Sequence, residues 1–231
     1  MWITLDPQDL KLHTMQKINI ILAPDQRIYF TSDIHFGHRN VIRFCNRPFA
    51  DEKEMAQGLI KNWNDKVKPN DFVFSLGDFS WFTGRHQVKK LVEQLHGKKY
   101  FVPGNHCKEG MYELVDDPNF HECSDTVVLY VRGQEGDPRF ADKKVYEIVL
   151  NHYPLSCYSH SDYENCYQFF GHIHSQSGTL LTEFGKEIPI KEGKQMDVGT
   201  DRWGYAPIDL FDVIRAAKVY PINILTAEDF K

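Results

Sequence analysis

The sequence predicts a layered α/β protein, and two patterns carry that prediction. Short apolar runs of strand length alternate with stretches of helical periodicity. Run after run then stops in a small polar cluster of Asp, Asn or His. The bulk composition sets the scale. With 231 residues, 42% of them hydrophobic and 13% aromatic, one domain spanning 1–231 has material for a sizeable core. No internal repeat, low-complexity tract or linker divides it.

Within residues 1–24, Ile18–Leu22 reads as a strand and Pro24-Asp25-Gln26 as a turn. Ile28, Tyr29 and Phe30 favour a pleated backbone. That strand runs out into the loop Ser32-Asp33-Ile34-His35-Phe36-Gly37-His38. Val41, Ile42, Phe44 and Cys45 suit a short helix from His38 to Cys45, which Asn46-Arg47-Pro48-Phe49 breaks. Asp51 is a good N-cap with Glu54 three residues on, the spacing of a capping box. Met55, Leu59, Ile60 and Trp63 follow at helical spacing to about Lys66. Phe72–Leu76 is a continuous apolar run, as expected of a strand covered on both faces, and it leads into Gly77-Asp78.

Val88, Leu91, Val92 and Leu95 mark another helix, closed by His96-Gly97. The strand Tyr100–Val102 leads into Pro103-Gly104-Asn105-His106. Thr126–Val131 is a strand, Arg132 to Lys144 a polar loop, and Val145–Leu150 a strand that ends in Asn151-His152. Tyr167–Phe170 stops at Gly171-His172-Ile173-His174. Met196-Asp197-Val198-Gly199 and Trp203-Gly204-Tyr205 precede a helix from about Pro207 to Ala217.

Charge and cysteine usage exclude several classes. A formal charge of −5 argues against a broad basic surface that grips nucleic acid, while leaving nucleotides and nucleic-acid ends open. The five cysteines are an odd count without a Cys-x-x-Cys pair, which points to free thiols in a reducing compartment. Met1 to Pro7 lacks the basic region and apolar core of a signal peptide. No apolar run reaches bilayer-spanning length. A cytoplasmic protein with no membrane partner is the expectation.

Polar clusters at the carboxyl ends of several strands fit one shared ligand site. Asp33 and His35 are two apart, and in an extended backbone such residues point to the same side. A carboxylate oxygen and an imidazole nitrogen are thus offered to one point, which suits manganese, iron or zinc. The full set is Asp33, His35, Asp78, Asn105, His152, His172 and His174. That is too many for one ion and suits two ions sharing a carboxylate. His172 and His174 repeat the two-residue spacing, although a bend could send them to different ions. Two cations roughly 3.5–4 Å apart clamp the attacking and leaving oxygens of an in-line displacement and lower the pKa of a bridging water. Metal-assisted hydrolysis of a phosphate ester is the chemistry expected.

The motifs Asp33-x-His35, Gly77-Asp78, Gly104-Asn105-His106, His152 and Gly171-His172-x-His174, in that order, resemble the calcineurin-like metallophosphoesterases. The resemblance implies a four-layer α/β/β/α sandwich of two mixed sheets flanked by helices, with the metals at one edge. It implies that Asp33, His35, Asp78 and His174 hold one metal. Asp78 would bridge to the second, which Asn105, His152 and His172 complete. His106 matches the family's non-ligand histidine. The implied role is to bind the substrate phosphate beside Asn105 and to protonate the leaving oxygen. The stretch Ser32 to Asn40, with Arg47-Pro48-Phe49 and Trp203-Gly204-Tyr205, resembles a small bacterial and phage branch of phosphoesterases.

The sequence departs from the family pattern in three places. Cys107 stands where an acidic residue usually follows Gly-Asn-His, which bears on the orientation of His106. Trp81 and Phe82 replace an Asp-Arg pair, which counts against a Ser/Thr protein phosphatase. The long gap between Asp33 and Asp78 holds the helix that starts near Asp51. Around the site, His38 either touches substrate or packs beside its loop. Arg47 either pairs with a substrate phosphate, caps a helix or pairs with Asp51. Tyr153 and Trp203 either stack on a base or sugar or simply pack. Arg85, His86, Lys89 and Lys90 read as a solvated helix face.

The function expected is hydrolysis of a small, nucleotide-like phosphodiester or phosphomonoester with two divalent ions (Mn, Fe, Zn or Ni). A nuclease or nucleic-acid end-processing phosphatase is the second reading. A binding scaffold that keeps the fold without catalysis is the third.

Overall fold

In the computed structural model, which describes residues 15–82, 84–107, 119–141, 145–175, 191 and 193–219, the apolar runs form two mixed sheets. The first five strands are β1 (Gln16–Leu22), β2 (Ile28–Thr31), β3 (Phe72–Leu76), β4 (Lys98–Val102) and β5 (Phe120–Glu122). The others are β6 (Thr126–Gly133), β7 (Tyr146–Asn151), β8 (Cys166–Phe170), β9 (Gln195–Asp197) and β10 (Ile208–Asp209). One sheet runs β1-β6-β7-β8-β9 and the other β10-β2-β3-β4-β5. In the second sheet β2, β3, β4 and β5 are parallel and β10 is antiparallel to β2. In the first, β7, β8 and β9 are parallel and β6 is antiparallel to β7. These pairings aim the carboxyl ends of β2, β3 and β4, and those of β7 and β8, at the loops that carry the expected ligands.

Strand periodicity sorts the side chains. Phe30, Phe74, Leu76 and Val102 from one sheet meet Leu129, Ile148, Leu150 and Phe169 from the other in a shared core. Tyr29, Val73 and Phe101 point the opposite way, into a second core beneath the helices. That core is covered by α1 (Arg39–Phe44), α2 (Glu52–Lys66) and α3 (Arg85–Val92). Helix α2 buries Met55, Leu59 and Trp63 at four-residue spacing. Truncating any of them to alanine should cost about 2–5 kcal/mol. Asp51 caps α2 by accepting from the N–H groups of Lys53 and Glu54, both at 2.9 Å. Glu54 returns a bond to the Ala50 N–H at 2.6 Å, so the box closes one residue before the cap.

Two mixed sheets flanked by helices are thus present, and among the described residues their outer faces are covered unequally. Outside the first sheet, Val128, Val149 and Cys166 pack against Leu155 and Tyr158 of the segment that joins β7 to β8. The last helix among the described residues, α4 (Leu210–Val219), packs into the shared core instead, through Leu210, Val213, Ile214 and Ala217.

Some boundaries differ from those expected. The helix expected from Pro207 starts at Leu210, because Ile208 and Asp209 pair with Phe30 and Tyr29 as β10. The short edge strand β5 was not expected. The polar loop after β6 contains a 3₁₀ turn at Pro138–Phe140, and its residues 142–144 lie outside the described residues. Among the described residues, no helix is long and apolar enough to cross a membrane.

Candidate metal centre

The ligand loops begin within three residues of their strands' ends and leave ordinary backbone geometry at once. Asp33, His35, Asp78, His172 and His174 all have positive φ, between 46° and 71°. For residues with a side chain this left-handed region costs about 1–2 kcal/mol each. Such strain persists only where the surroundings over-determine it, and it gathers at functional sites. The surroundings here are other ligand loops. The Asp33 and His35 N–H groups donate to the carbonyls of Gly77 (3.1 Å) and Asp78 (2.9 Å). Asp33 Oδ2 accepts from the His172 N–H and Asp78 Oδ1 from the His106 N–H, both at 2.9 Å. The extended, same-side geometry expected for Asp33 and His35 is therefore not how they converge.

Two motif glycines are required by this packing. A Cβ on Gly171 would overlap Ser32 Oγ and Asp33 Oδ2, and one on Gly77 would overlap the His152 ring.

The seven expected ligands form an unbroken path. Asp33 Oδ1 lies 3.8 Å from His174 Nε2, which lies 3.3 Å from His35 Nε2. Asp78 Oδ2 stands between the two halves, 3.7 Å from His35 Nε2 and 3.7 Å from His152 Nε2. Asn105 Oδ1 is 2.8 Å from His152 Nε2 and 3.0 Å from His172 Nδ1. Ligand atoms bound at about 2.0–2.2 Å sit roughly 3 Å or a little more from one another, so these separations suit shared ions.

The donor chemistry fits as well. Each aspartate uses one oxygen on a neighbouring loop and turns the other to the histidines. Asp33 Oδ1 is buried and accepts no hydrogen bond in a residue that is 0% exposed, an expensive arrangement for an anion without a cation. His152 Nδ1 donates to the Leu76 carbonyl at 2.7 Å, which fixes a lone pair on Nε2. That lone pair faces the side-chain oxygens of Asp78 and Asn105. Asp33, His35 and His174 form one group able to hold a cation, and Asp33, Asp78 and His152 form another.

The charges respond to this crowding. Burial, then the neighbouring His174, holds the His35 ring well below the usual histidine range. Burial, then His152, lowers His172. Burial raises Asp78 against the pull of His152, and Asp33 adds to the rise. His174 goes the other way: burial opposes its charge, yet Asp33 and the hydrogen bond to Asp201 push it up to about 11.

Around the ligands, His106 is exposed and its ring centroid lies 5.9 Å from that of His35. His38 stacks on Trp81 at 4.0 Å and 9°, and Trp81 also contacts the His106 ring at 5.2 Å. Trp81 thus lies beside both His38 and His106. The Cys107 thiol accepts from the Gly104 N–H at 2.9 Å, within the loop that carries Asn105 and His106. Burial pushes that thiol up, so it is neutral. Tyr153 is exposed, with its ring 4.7 Å from that of His172. Trp203 is buried and donates to the Asp197 carbonyl, so it packs. Arg85, His86, Lys89 and Lys90 are exposed on α3.

Arg47 corrects an expectation. Its side chain is 0% exposed, and its ion pair is with Asp201 rather than Asp51. It binds both oxygens of Asp201, at 2.7 and 2.8 Å. Its remaining N–H groups donate to the Ile34 and Asp33 carbonyls, at 2.8 and 2.7 Å. A group so enclosed is not placed to meet a substrate phosphate.

Sequence reasoning assigned no role to Asp197 or Asp201. Asp197 is fully buried, and burial together with the Asp33 charge pushes it up to about 6. It accepts from Ser175 and from the Gly199 N–H, tying β9 to the histidine loop. Asp201 Oδ2 lies 2.9 Å from His174 Nδ1. The nearby Trp203-Gly204-Tyr205 was a weak pointer to this segment, but nothing local marks Asp201 itself.

The calcineurin-like phosphoesterase family profile matches residues 26–176, which take in every expected ligand. The chain belongs to that family. An uncharacterized protein of Methanocaldococcus jannaschii, MJ1445, is 46% identical over 88 residues, 37% of this chain and 49% of that protein. The chain thus spans about half the length of that relative. The Gene 66 protein of Mycobacterium phage L5 is 25% identical over 196 residues, 76% of this chain and 87% of the phage protein. A crystal structure of AQ665 from Aquifex aeolicus, a protein of unknown function, shares the fold with a TM-score of 0.57. It is 23% identical, over 83% of this chain and 99% of that one.

Proposed function

We propose that this chain hydrolyses a small phosphoester with the help of two divalent cations. The observation that carries the reading is the unbroken path of seven ligands, with Asp78 Oδ2 at 3.7 Å from a histidine of each half. Asp33, His35, His174 and Asp78 would hold one cation, and Asp78, Asn105, His152 and His172 the other. The mixed oxygen and nitrogen donors suit Mn, Fe, Zn or Ni. When bound, such a pair neutralises phosphate charge and makes an attacking water acidic near neutral pH.

The chain's own groups do the rest. The His106 backbone N–H fixes Asp78 Oδ1, while its exposed ring lies 5.9 Å from that of His35. We assign that ring to grip the phosphate and to give a proton to the leaving oxygen. Asn105 helps orient the phosphate. His38, held flat on Trp81, is assigned to the substrate side of the cleft. A charge of −5 favours a small substrate over a long polyanion. Five free thiols suit the reducing cytoplasm. A binding scaffold without catalysis is disfavoured because all seven ligands and His106 are retained.

The test is a panel of monoesters, diesters and short nucleic acids, offered with manganese, nickel, zinc or magnesium. At least one ester class should turn over. His106→Ala should keep its metal and lose about 10²–10⁴-fold in turnover. No turnover by the metal-loaded wild type would overturn the catalytic reading. Loss of metal from His106→Ala would overturn the division between ligand and acid.

A further inference from the structure

We infer that Asp201, clamped by Arg47, is a positioning residue for His174, so that the segment after β9 governs one cation of the pair and not the other. This rests on the two-cation reading. The carboxylate can only accept, so at 2.9 Å from Asp201 Oδ2 the His174 Nδ1 carries the hydrogen. In the neutral ring the lone pair then belongs to Nε2, which faces Asp33 and His35. A carboxylate behind a histidine sets the ring's angle and raises its basicity toward a metal.

Arg47 makes this arrangement rigid. One guanidinium holds both Asp201 oxygens and also the carbonyls of Asp33 and Ile34. It therefore joins the residue behind His174 to the loop that supplies Asp33 and His35. The Thr200 N–H donates to the Ser32 carbonyl at 2.9 Å and holds the same segment against the end of β2.

Another assignment would make Cys45, His174 and Asp201 a cation site of their own, since Cys45 Sγ lies 3.3 Å from His174 Nδ1. Arg47 argues against it: both Asp201 oxygens already receive guanidinium N–H groups, and a cation there would face a buried fixed positive charge. The cluster is a hydrogen-bonded brace.

The other half has a different support. His152 is oriented by the Leu76 carbonyl, and His172 Nδ1 faces Asn105. Neither bond involves the segment after β9. Asp201 lies beyond the 26–176 match to the family profile, while its partner Arg47 lies within it.

The experiment is a cobalt(II) titration of metal-free full-length chain, followed by visible absorption and by calorimetry. The wild type should bind two ions. Asp201→Asn should weaken one by about 10–100-fold, with a changed spectrum for that ion, and leave the other step unchanged. Asp201→Glu should restore part of the loss, and Arg47→Lys should weaken the same step. Arg47→Lys keeps the buried charge and serves where Asp201→Asn does not fold, as judged by circular dichroism. Unchanged titrations, or equal weakening of both steps, would overturn the inference. A folded wild type that binds no cobalt would overturn the two-cation reading and the inference with it.

Discussion

On one side of Asp78, His35 is buried and His174 is tied through Asp201 to an Arg47 that is itself enclosed. On the other side, Asn105 and His172 are exposed, and their side chains meet each other, His152 and the exposed Tyr153. Both halves use imidazole and side-chain oxygen, so ligand type does not separate them. What separates them is the support behind the ligands. The first half has a charged, dry brace. The second has one backbone carbonyl and an open face. On the two-cation proposal, the first site would stay fixed, and the second would be the one a phosphate approaches. The first cation should also bind more tightly.

The largest effect should come from removing the group the halves share. Asp78→Asn takes away the anionic oxygen that faces His35 and His152. Both cations should weaken by more than the 10–100-fold typical of an outer-shell change, and turnover should collapse with them. Metal analysis and kinetics on the same sample read this. Retention of both cations would break the comparison, because Asp78 would then not be shared.

Asn105→Ala should separate the halves. It removes an oxygen near His152 and His172 and touches nothing on the His35 side. Metal content should fall from two ions per chain toward one, with the tighter ion kept. Loss of the tighter ion would show the assignment to be reversed. Gly171→Ala should act on the first half through Asp33 and Ser32, where the new methyl has no room. Overpacking of this kind costs about 1–3 kcal/mol, measurable by urea unfolding. Unchanged stability would show that the loops are less tightly packed than described.

The smallest effect should fall outside the centre. Asp51→Ala should lower the melting temperature by a few degrees at neutral pH and leave metal content unchanged. The N–H groups of Glu54 and Lys53 hold the Asp51 carboxyl below its ordinary 3.8. A folded-state value below the unfolded one stabilises above the unfolded value, and that gain is lost as pH falls through the folded value. The gap between variant and wild type should therefore close under acid conditions. A gap that persists in acid would mean that the cap acts through something other than its charge.

Much of this was legible in the sequence because it is local. The apolar runs of β2, β3 and β8, and the glycine-flanked clusters after them, are written in consecutive residues, so the strand-end placement of the ligands followed. The cap at Asp51 is equally local. What was not legible depends on distant partners. The left-handed backbone at Asp33 and His35 is imposed by Gly77 and Asp78 on another loop, and an isolated Asp-x-His cannot show it. Arg47 looks like any cation near a phosphate site until its partner Asp201, 154 residues away, is known. Strand β10 exists only because β2 offers it an edge, and two residues of sequence carry no period.

The most direct test is electron paramagnetic resonance of the manganese-loaded chain. Two manganese ions sharing the Asp78 carboxylate should give a spin-coupled spectrum at a loading of two per chain, and Asp78→Asn should abolish the coupling. A fully loaded wild type that shows only isolated manganese, or saturates at one ion per chain, would contradict the account.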